Sequence, residues 1–362
     1  MKNVLHSNGD KIGGRYVIDG EIGQGGMQEV YRAKDEFLKR YVALKVPKSS
    51  SAEKRFKRSA VLSARVNHAN VAKTLDYVED QEQFYLIEEL IDGCNLSEFL
   101  SNYVPRLDPY ATARVMHHLA KGMAASHHVD VVHRDLKPSN VMVVGAQLMR
   151  AFKITDFGIA KMAEKVIGDA AEGGAAGLTA SQTALGALPY MAPEMIEDMK
   201  SAGKPADVWA LGAMIFELLT GNRPFGQGYK AVPAIMEAKL PQLSKQLTGN
   251  PQYSSLSETI YKIIKRCIKK DIKERPTADE LVTACESLCY ASNPREFGTI
   301  RSLSHNRYGF IRSDDTSMQD AFYHVKSIYS VESTSIGQRV WFSRFPGAPR
   351  DRAFPVVFAL EE

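Results

Sequence analysis

Apolar and polar positions alternate over residues 15–47, in runs interrupted by glycine: RYVIDGEIG, EVYRAKDE and RYVALKVP. A period of two predicts strands. Residues 51–66 switch to helical spacing, 84–91 (FYLIEELI) return to a strand, and 96–129 are helical again. Short strand-like runs at 131–132 and 141–154 flank the octapeptide HRDLKPSN at 133–140. Helical patterns resume over 193–220 and 256–290. Between these regions, 162–186 is rich in Ala, Gly, Ser and Thr and poor in large apolar groups, which predicts a long loop with no core of its own. After Asn293-Pro294 the helical period disappears. Aromatics, Val, Ile, Gly and Ser take over, which predicts a small all-β module.

Composition alters this outline little. The chain has 362 residues, 44% hydrophobic and 24% charged, enough for more than one domain. A net charge of +4 neither demands nor excludes a polyanionic partner. Cys94, Cys267, Cys285 and Cys289 form no CxxC pair and no metal-ligand spacing, as expected of reduced thiols in a cytosol. The start, MKNVLHSNGDKIGGRY, has no apolar run of the signal-peptide kind, and Val208–Leu219 is too short to span a bilayer and carries Glu217. The expectation is a cytoplasmic protein with no membrane partner.

The chemistry concentrates in HRDLKPSN. Asp135 is spaced to accept a proton from an attacking hydroxyl, Lys137 to steady a moving phosphoryl group, and Asn140 to reach a cation through its amide oxygen. Asp156-Phe157-Gly158 follows, where a carboxylate beside a glycine can be aimed at Mg²⁺. Upstream, IGQGGMQEV (22–30) lets backbone N–H groups approach phosphates and precedes Val42-Ala43-Leu44-Lys45, a strand lysine suited to phosphate. The order and spacing together are specific to phosphoryl transfer.

Residues 10–290 thus resemble a protein kinase domain of the bacterial, eukaryotic-like Ser/Thr type. Ala192-Pro193-Glu194, Asp207-Val208-Trp209 and Lys273-Glu274-Arg275-Pro276 extend the match. The resemblance implies an α+β bilobal kinase fold, with an N-lobe at 10–91, a C-lobe at 92–290 and an activation segment at 156–194. It implies an ATP-dependent Ser/Thr kinase that uses Mg²⁺ or Mn²⁺ and acts on protein substrates. Asp135 would be the catalytic base, assisted by Lys137 and Lys45. Asn140 and Asp156 would hold metal. Ile22, Gly23, Gly25, Gly26, Val30, Ala43, Lys45, Glu88 and Glu89 would line the nucleotide site. Glu194 and Arg275 would pair to hold the activation segment. Thr179, Ser181 and Thr183 are candidate phosphosites, with Arg134 as their receptor.

Three positions depart from the pattern. Gln28 replaces the third glycine of the phosphate loop, a mild change by this reading. Ser59 stands where the helix should carry a glutamate for Lys45. The nearest upstream acid, Glu53, is six residues away, about 9 Å and about 240° around a helix, so it faces elsewhere. Alternation in FYLIEEL instead places Phe84, Leu86 and Glu88 on one face, so Glu88 is expected to pair with Lys45 from the usually apolar position behind the adenine. The third departure, Ala187 where the family has threonine, removes one hydrogen bond to Asp135. The alternative is a nucleotide-binding pseudokinase scaffold.

Residues 294–362 resemble a cold-shock domain, a five-stranded OB-type barrel. Tyr308-Gly309-Phe310-Ile311 and Phe322-Tyr323-His324 carry the likeness. It implies that Tyr308, Phe310, Phe322 and His324 form a platform for single-stranded RNA or DNA, with Arg301, Arg307, Arg312 and Lys326 nearby. Ser302 and Val325 replace aromatic positions, and nine Lys/Arg against eight Asp/Glu give the segment a weak field. A barrel repurposed to dock on the kinase or on another protein is the other reading. His117, His118, His127 and His128 read as structural.

Overall fold

The computed structural model describes residues 5–24, 28–48, 56–57, 60–157, 186–198 and 202–361. The alternating N-terminal third forms an antiparallel six-stranded sheet in the order β1-β2-β3-β4-β6-β5. Its strands are β1 (Lys11–Ile12), β2 (Tyr16–Gln24), β3 (Gln28–Asp35), β4 (Arg40–Pro47), β5 (Thr74–Asp80) and β6 (Gln83–Glu89). Val42, Leu44 and Val46 point to one face, where they pack with Tyr16, Tyr31, Tyr85 and Ile87. Ala43 and Lys45, one residue out of phase, face the other way. Strand β5 was not foreseen. Its hairpin to β6 turns on Gln81 and Glu82, both in the left-handed region (φ 49° and 64°), without the Asn-Gly or Asp-Gly signal such turns usually carry.

The next region is mostly helical, with α1 (Leu96–Asn102), α2 (Pro109–His128), α3 (Pro193–Glu197), α4 (Lys204–Thr220), α5 (Val232–Glu237), α6 (Lys245–Thr248), α7 (Ser254–Cys267) and α8 (Ala278–Glu286). The single helical stretch expected over 96–129 is broken. Asn95 caps α1 through a capping box with Glu98, and Asp108 caps α2 ahead of Pro109. The stretch at 193–220 likewise divides into α3 and α4, and that at 256–290 into α7 and α8. Residues 131–132 form no strand. The partner of β8 (Val141–Val144) is β7 (Gly93–Asn95), and β9 (Ala151–Ile154) completes a three-stranded sheet. Among the described residues no helix is long and apolar enough to cross a membrane.

The C-terminal module is a closed barrel. It contains β10 (Arg295–Ser304), β11 (Tyr308–Ser313), β12 (Ala321–His324), β13 (Ile328–Tyr329), β14 (Arg339–Phe345) and β15 (Arg352–Phe358). The sheet runs β12-β11-β10-β14-β15, and a parallel β12–β15 pairing closes it. Ile300, Ile311, Tyr323, Val340, Phe342, Val356 and Phe358 fill the interior.

The barrel sits directly on the helical region. On β14 and β15, Trp341 and Val357 point out of the barrel and join the core that contains Phe99, Leu107 and Leu219. Both faces of these strands are therefore buried, which explains the unbroken apolar runs VWF and VVFAL. Arg295 donates to Asp108 at 2.6 Å in a buried ion pair, and its guanidinium lies 4.4 Å from the Trp341 ring centre. Tyr253 stacks on Phe354 with centroids 5.6 Å apart, and the Tyr329 hydroxyl donates to the Leu219 carbonyl at 3.0 Å.

Candidate active site

Cross-strand register builds the roof of the cleft. Val30 lies opposite Lys45, Lys45 opposite Leu86, and Ala43 opposite Glu88. Lys45 and Glu88 are therefore diagonal neighbours on one face, within reach of long side chains. Lys45 Nζ contacts Glu88 Oε2 at 2.7 Å and Asp156 Oδ1 at 2.8 Å. Val30 and Ala43 share this face, as does Gln28, two residues before Val30. Gly23 pairs with Val30 on β2, and a Cβ there would make only an ordinary 3.8 Å contact with Val30. The protein itself thus leaves room at this position, and a glycine would matter toward a ligand. Ile22 is half exposed, an apolar side chain that no core covers.

The floor is the loop before β8. Asp207, buried near the start of α4, accepts from the backbone N–H groups of His133 (2.8 Å) and Arg134 (2.7 Å). The His127 ring also meets it, at 2.9 Å. These bonds hold Arg134 in the left-handed region, φ 67°. His133 Nε2 meets the Thr155 carbonyl at 2.8 Å, and the Thr155 N–H donates to the Asn140 carbonyl at 2.9 Å, tying the loop to the strand that delivers Asp156. Lys137 Nζ donates to Asp135 Oδ2 at 2.8 Å. Asn140 Nδ2 donates to the Asp135 carbonyl at 2.8 Å and to its carboxylate at 3.1 Å. With the amide nitrogen so engaged, the amide oxygen is on the branch that can meet a cation. Asp156 and Asn140 each carry oxygens of the hard kind that cations such as Mg²⁺ or Mn²⁺ prefer.

Two carboxylates share one ammonium in this cluster. Burial pushes the Glu88 carboxyl up against the pull of Lys45. Burial also opposes ionisation of Asp156, but Lys45 and hydrogen bonds from Lys45 and Gln28 outweigh it and hold the pKa below the usual carboxylate value. For Lys45, burial favours the neutral form, and Asp156 and Glu88 overcome it and raise the pKa.

Other candidate residues lie apart from the cleft. The Glu89 carboxylate is held by Lys153 at 2.6 Å and by the Lys73 N–H at 2.8 Å, and its own N–H donates to the Lys73 carbonyl at 2.9 Å. Arg275 and Glu194 form a two-pronged pair at 2.6 and 2.8 Å. Ala187 is buried and carries no side-chain oxygen. His117 meets the Tyr290 hydroxyl and His128 meets Asp279, contacts in keeping with structural roles. Gly25, Gly26, Glu53, Ser59, Gly158, Thr179, Ser181 and Thr183 lie outside the described residues. The sequence reading missed Gln28, whose side chain reaches Asp156 at 3.0 Å. A replaced glycine was the only signal, and it does not say where the new side chain goes.

On the barrel, Tyr308 lies opposite His324 and Phe310 opposite Phe322. Gly309, Ile311, Ala321 and Tyr323 alternate inward and are buried, which leaves the four rings on the outer face. Tyr308 stacks on Phe322 with centroids 5.9 Å apart. Arg352, which the sequence reading did not single out, lies 4.5 Å from the Phe322 ring centre. Arg301 pairs with Asp320 at 2.6 Å, while Arg307, Arg312 and Lys326 are exposed.

The chain is 32% identical over 278 residues to the serine/threonine-protein kinase PrkC of Bacillus subtilis, covering 75% of this chain and 40% of that protein. It is 31% identical over 313 residues to the serine/threonine-protein kinase PkaA of Streptomyces coelicolor, covering 81% and 54%. The chain thus spans about half or less of these relatives' lengths. A crystal structure of Rad53 (1–466) with AMP-PNP shares the fold at a TM-score of 0.57 and 22% identity, over 75% of this chain and 64% of that one. The family model for the protein kinase domain matches residues 16–284, well over half the sequence, and the chain belongs to that family.

Proposed function

We propose that this chain transfers the γ-phosphate of ATP to serine or threonine hydroxyls of protein substrates. The observation that supports the reading is the convergence of Asp135, Lys137 and Asn140 on one loop, which the Thr155 N–H ties at 2.9 Å to the segment carrying Asp156, the partner of Lys45. ATP with its divalent cation supplies the phosphoryl group and the charge neutralisation. Lys45 holds phosphate oxygens from the roof. Asp156 and Asn140 present oxygens to the metal. Asp135 accepts the hydroxyl proton, and Lys137, already beside it, stabilises charge on the transferring group. Wild-type protein incubated with radiolabelled ATP and Mg²⁺ or Mn²⁺ should label protein hydroxyls, whereas Asp135→Asn should lose nearly all label. Absence of label in wild type with retained nucleotide binding would favour the pseudokinase reading. Arg134 Nε, buried without a hydrogen bond among the described residues, supports its role as receptor for phosphate on Thr179, Ser181 or Thr183.

The barrel is read as a platform for single-stranded nucleic acid, supported by the shared outer face of Tyr308, Phe310, Phe322 and His324. Each base stacked there is worth about 1–3 kcal/mol. A gel shift with single-stranded RNA or DNA should weaken as salt rises and should be lost in Tyr308→Ala/Phe322→Ala. No shift at low salt would leave protein docking as the role of this face.

A further inference from the structure

The nucleotide site contains a side chain where its family pattern has none. Gln28 stands at the third glycine position, on the face of β3 that also carries Val30. Its Nε2 donates to Asp156 Oδ1 at 3.0 Å, a contact between residues 128 positions apart. The same oxygen receives Lys45 Nζ at 2.8 Å, and Lys45 also contacts Glu88 at 2.7 Å. A chain of four side chains thus joins β3, β4 and β6 of the roof to the floor.

The two oxygens of Asp156 are divided between two jobs. Oδ1 takes both donors from the roof. Among the described residues, Oδ2 is met by the Thr155 hydroxyl, at 3.3 Å. Asp156 also sits in the left-handed region, φ 61°, a conformation disfavoured for a residue with a Cβ and in need of support. A glutamine amide suits the task because it is neutral. It braces the carboxylate without adding to the positive charge that Lys45 already brings to Oδ1. The bracing bonds on Oδ1 need not break when a cation is met by Oδ2.

We propose that Gln28 is a positioning residue that braces Asp156 from the phosphate-loop strand, so that Oδ2 is aimed at the catalytic metal before nucleotide arrives. The inference rests on the kinase reading for its chemistry but concerns metal loading rather than turnover.

The test therefore pairs a binding readout with kinetics. Mn²⁺ binding is followed by electron paramagnetic resonance on the full chain with a nonhydrolysable ATP analogue, for wild type, Gln28→Gly and Gln28→Met. The methionine keeps the length and loses the hydrogen bond. Both variants should need about three- to ten-fold more Mn²⁺ for half-saturation, the range expected for one lost hydrogen bond. In kinase assays the half-saturating Mg²⁺ should rise in step. Unchanged metal binding in both variants would overturn the proposal. So would tighter binding, which would mean that Gln28 obstructs the metal. If wild type bound metal and analogue without transferring phosphate, the kinase reading would fail while the metal titration still decided the role of Gln28.

Discussion

At the scale of single residues, the partner of Lys45 carries the most information. A buried carboxylate on a sheet face is costly unless paired, and the strand lysine gives Glu88 that pair. Glu88→Met keeps the volume and removes one of two negative charges facing Lys45. Its kcat/KM for ATP is expected to fall by at least about ten-fold, because truncating one partner of a buried ion pair costs several kcal/mol. Activity equal to wild type would mean that Asp156 alone suffices. This pair was legible because strand alternation and the gap at Ser59 point to the same face. Gln28 was not, since its contact joins residues far apart in sequence and depends on how closely roof meets floor.

Among the elements, α2 shows where pattern reading succeeds and stops. Its helical period was clear, and its beginning is written in the sequence as Asp108-Pro109. The helical pattern nonetheless ran straight through the break before it, because Val104 and Leu107 in the break are buried like the apolar face of a helix. His118 on this helix packs edge-on to Phe152, with Arg114, His117, Lys121 and His68 around it. Burial first, and those neighbouring positive groups second, push its pKa down from 6.5 to about 4. A histidine depressed in the folded state stabilises the fold fully above its unfolded pKa. That contribution is lost as pH falls through the window from 6.5 to about 4. Urea melts across this window should show stability dropping with acid, and His118→Phe should flatten the slope. An identical slope would assign the acid sensitivity to other groups.

For the whole molecule, the sequence divides at Asn293-Pro294, but the hydrophobic core does not. Trp341, Val357 and Tyr329 belong to the same packed cluster as Phe99 and Leu219. The runs VWF and VVFAL were the available sign, since a barrel strand with one wet face would alternate. A chain ending at residue 293 would expose Phe99 and Tyr253 and leave Asp108 without Arg295. It should melt well below the full protein and bind a hydrophobic dye such as ANS. Arg295→Ala alone should cost about 3 kcal/mol in a denaturant melt of the full chain, by stranding a buried carboxylate that only the α2 N-terminus still neutralises. A truncated chain as stable as the intact one would show that the seam contributes nothing.

The seam also removes slack. A module on a flexible tether sweeps a volume and samples many distances, whereas one seated through Trp341 and Arg295 keeps a fixed offset from the candidate active site. Anything gripped by the four rings would then act as a ruler. Targets whose hydroxyls lie at the matching span would be served, and those nearer or farther along the same strand would be passed over.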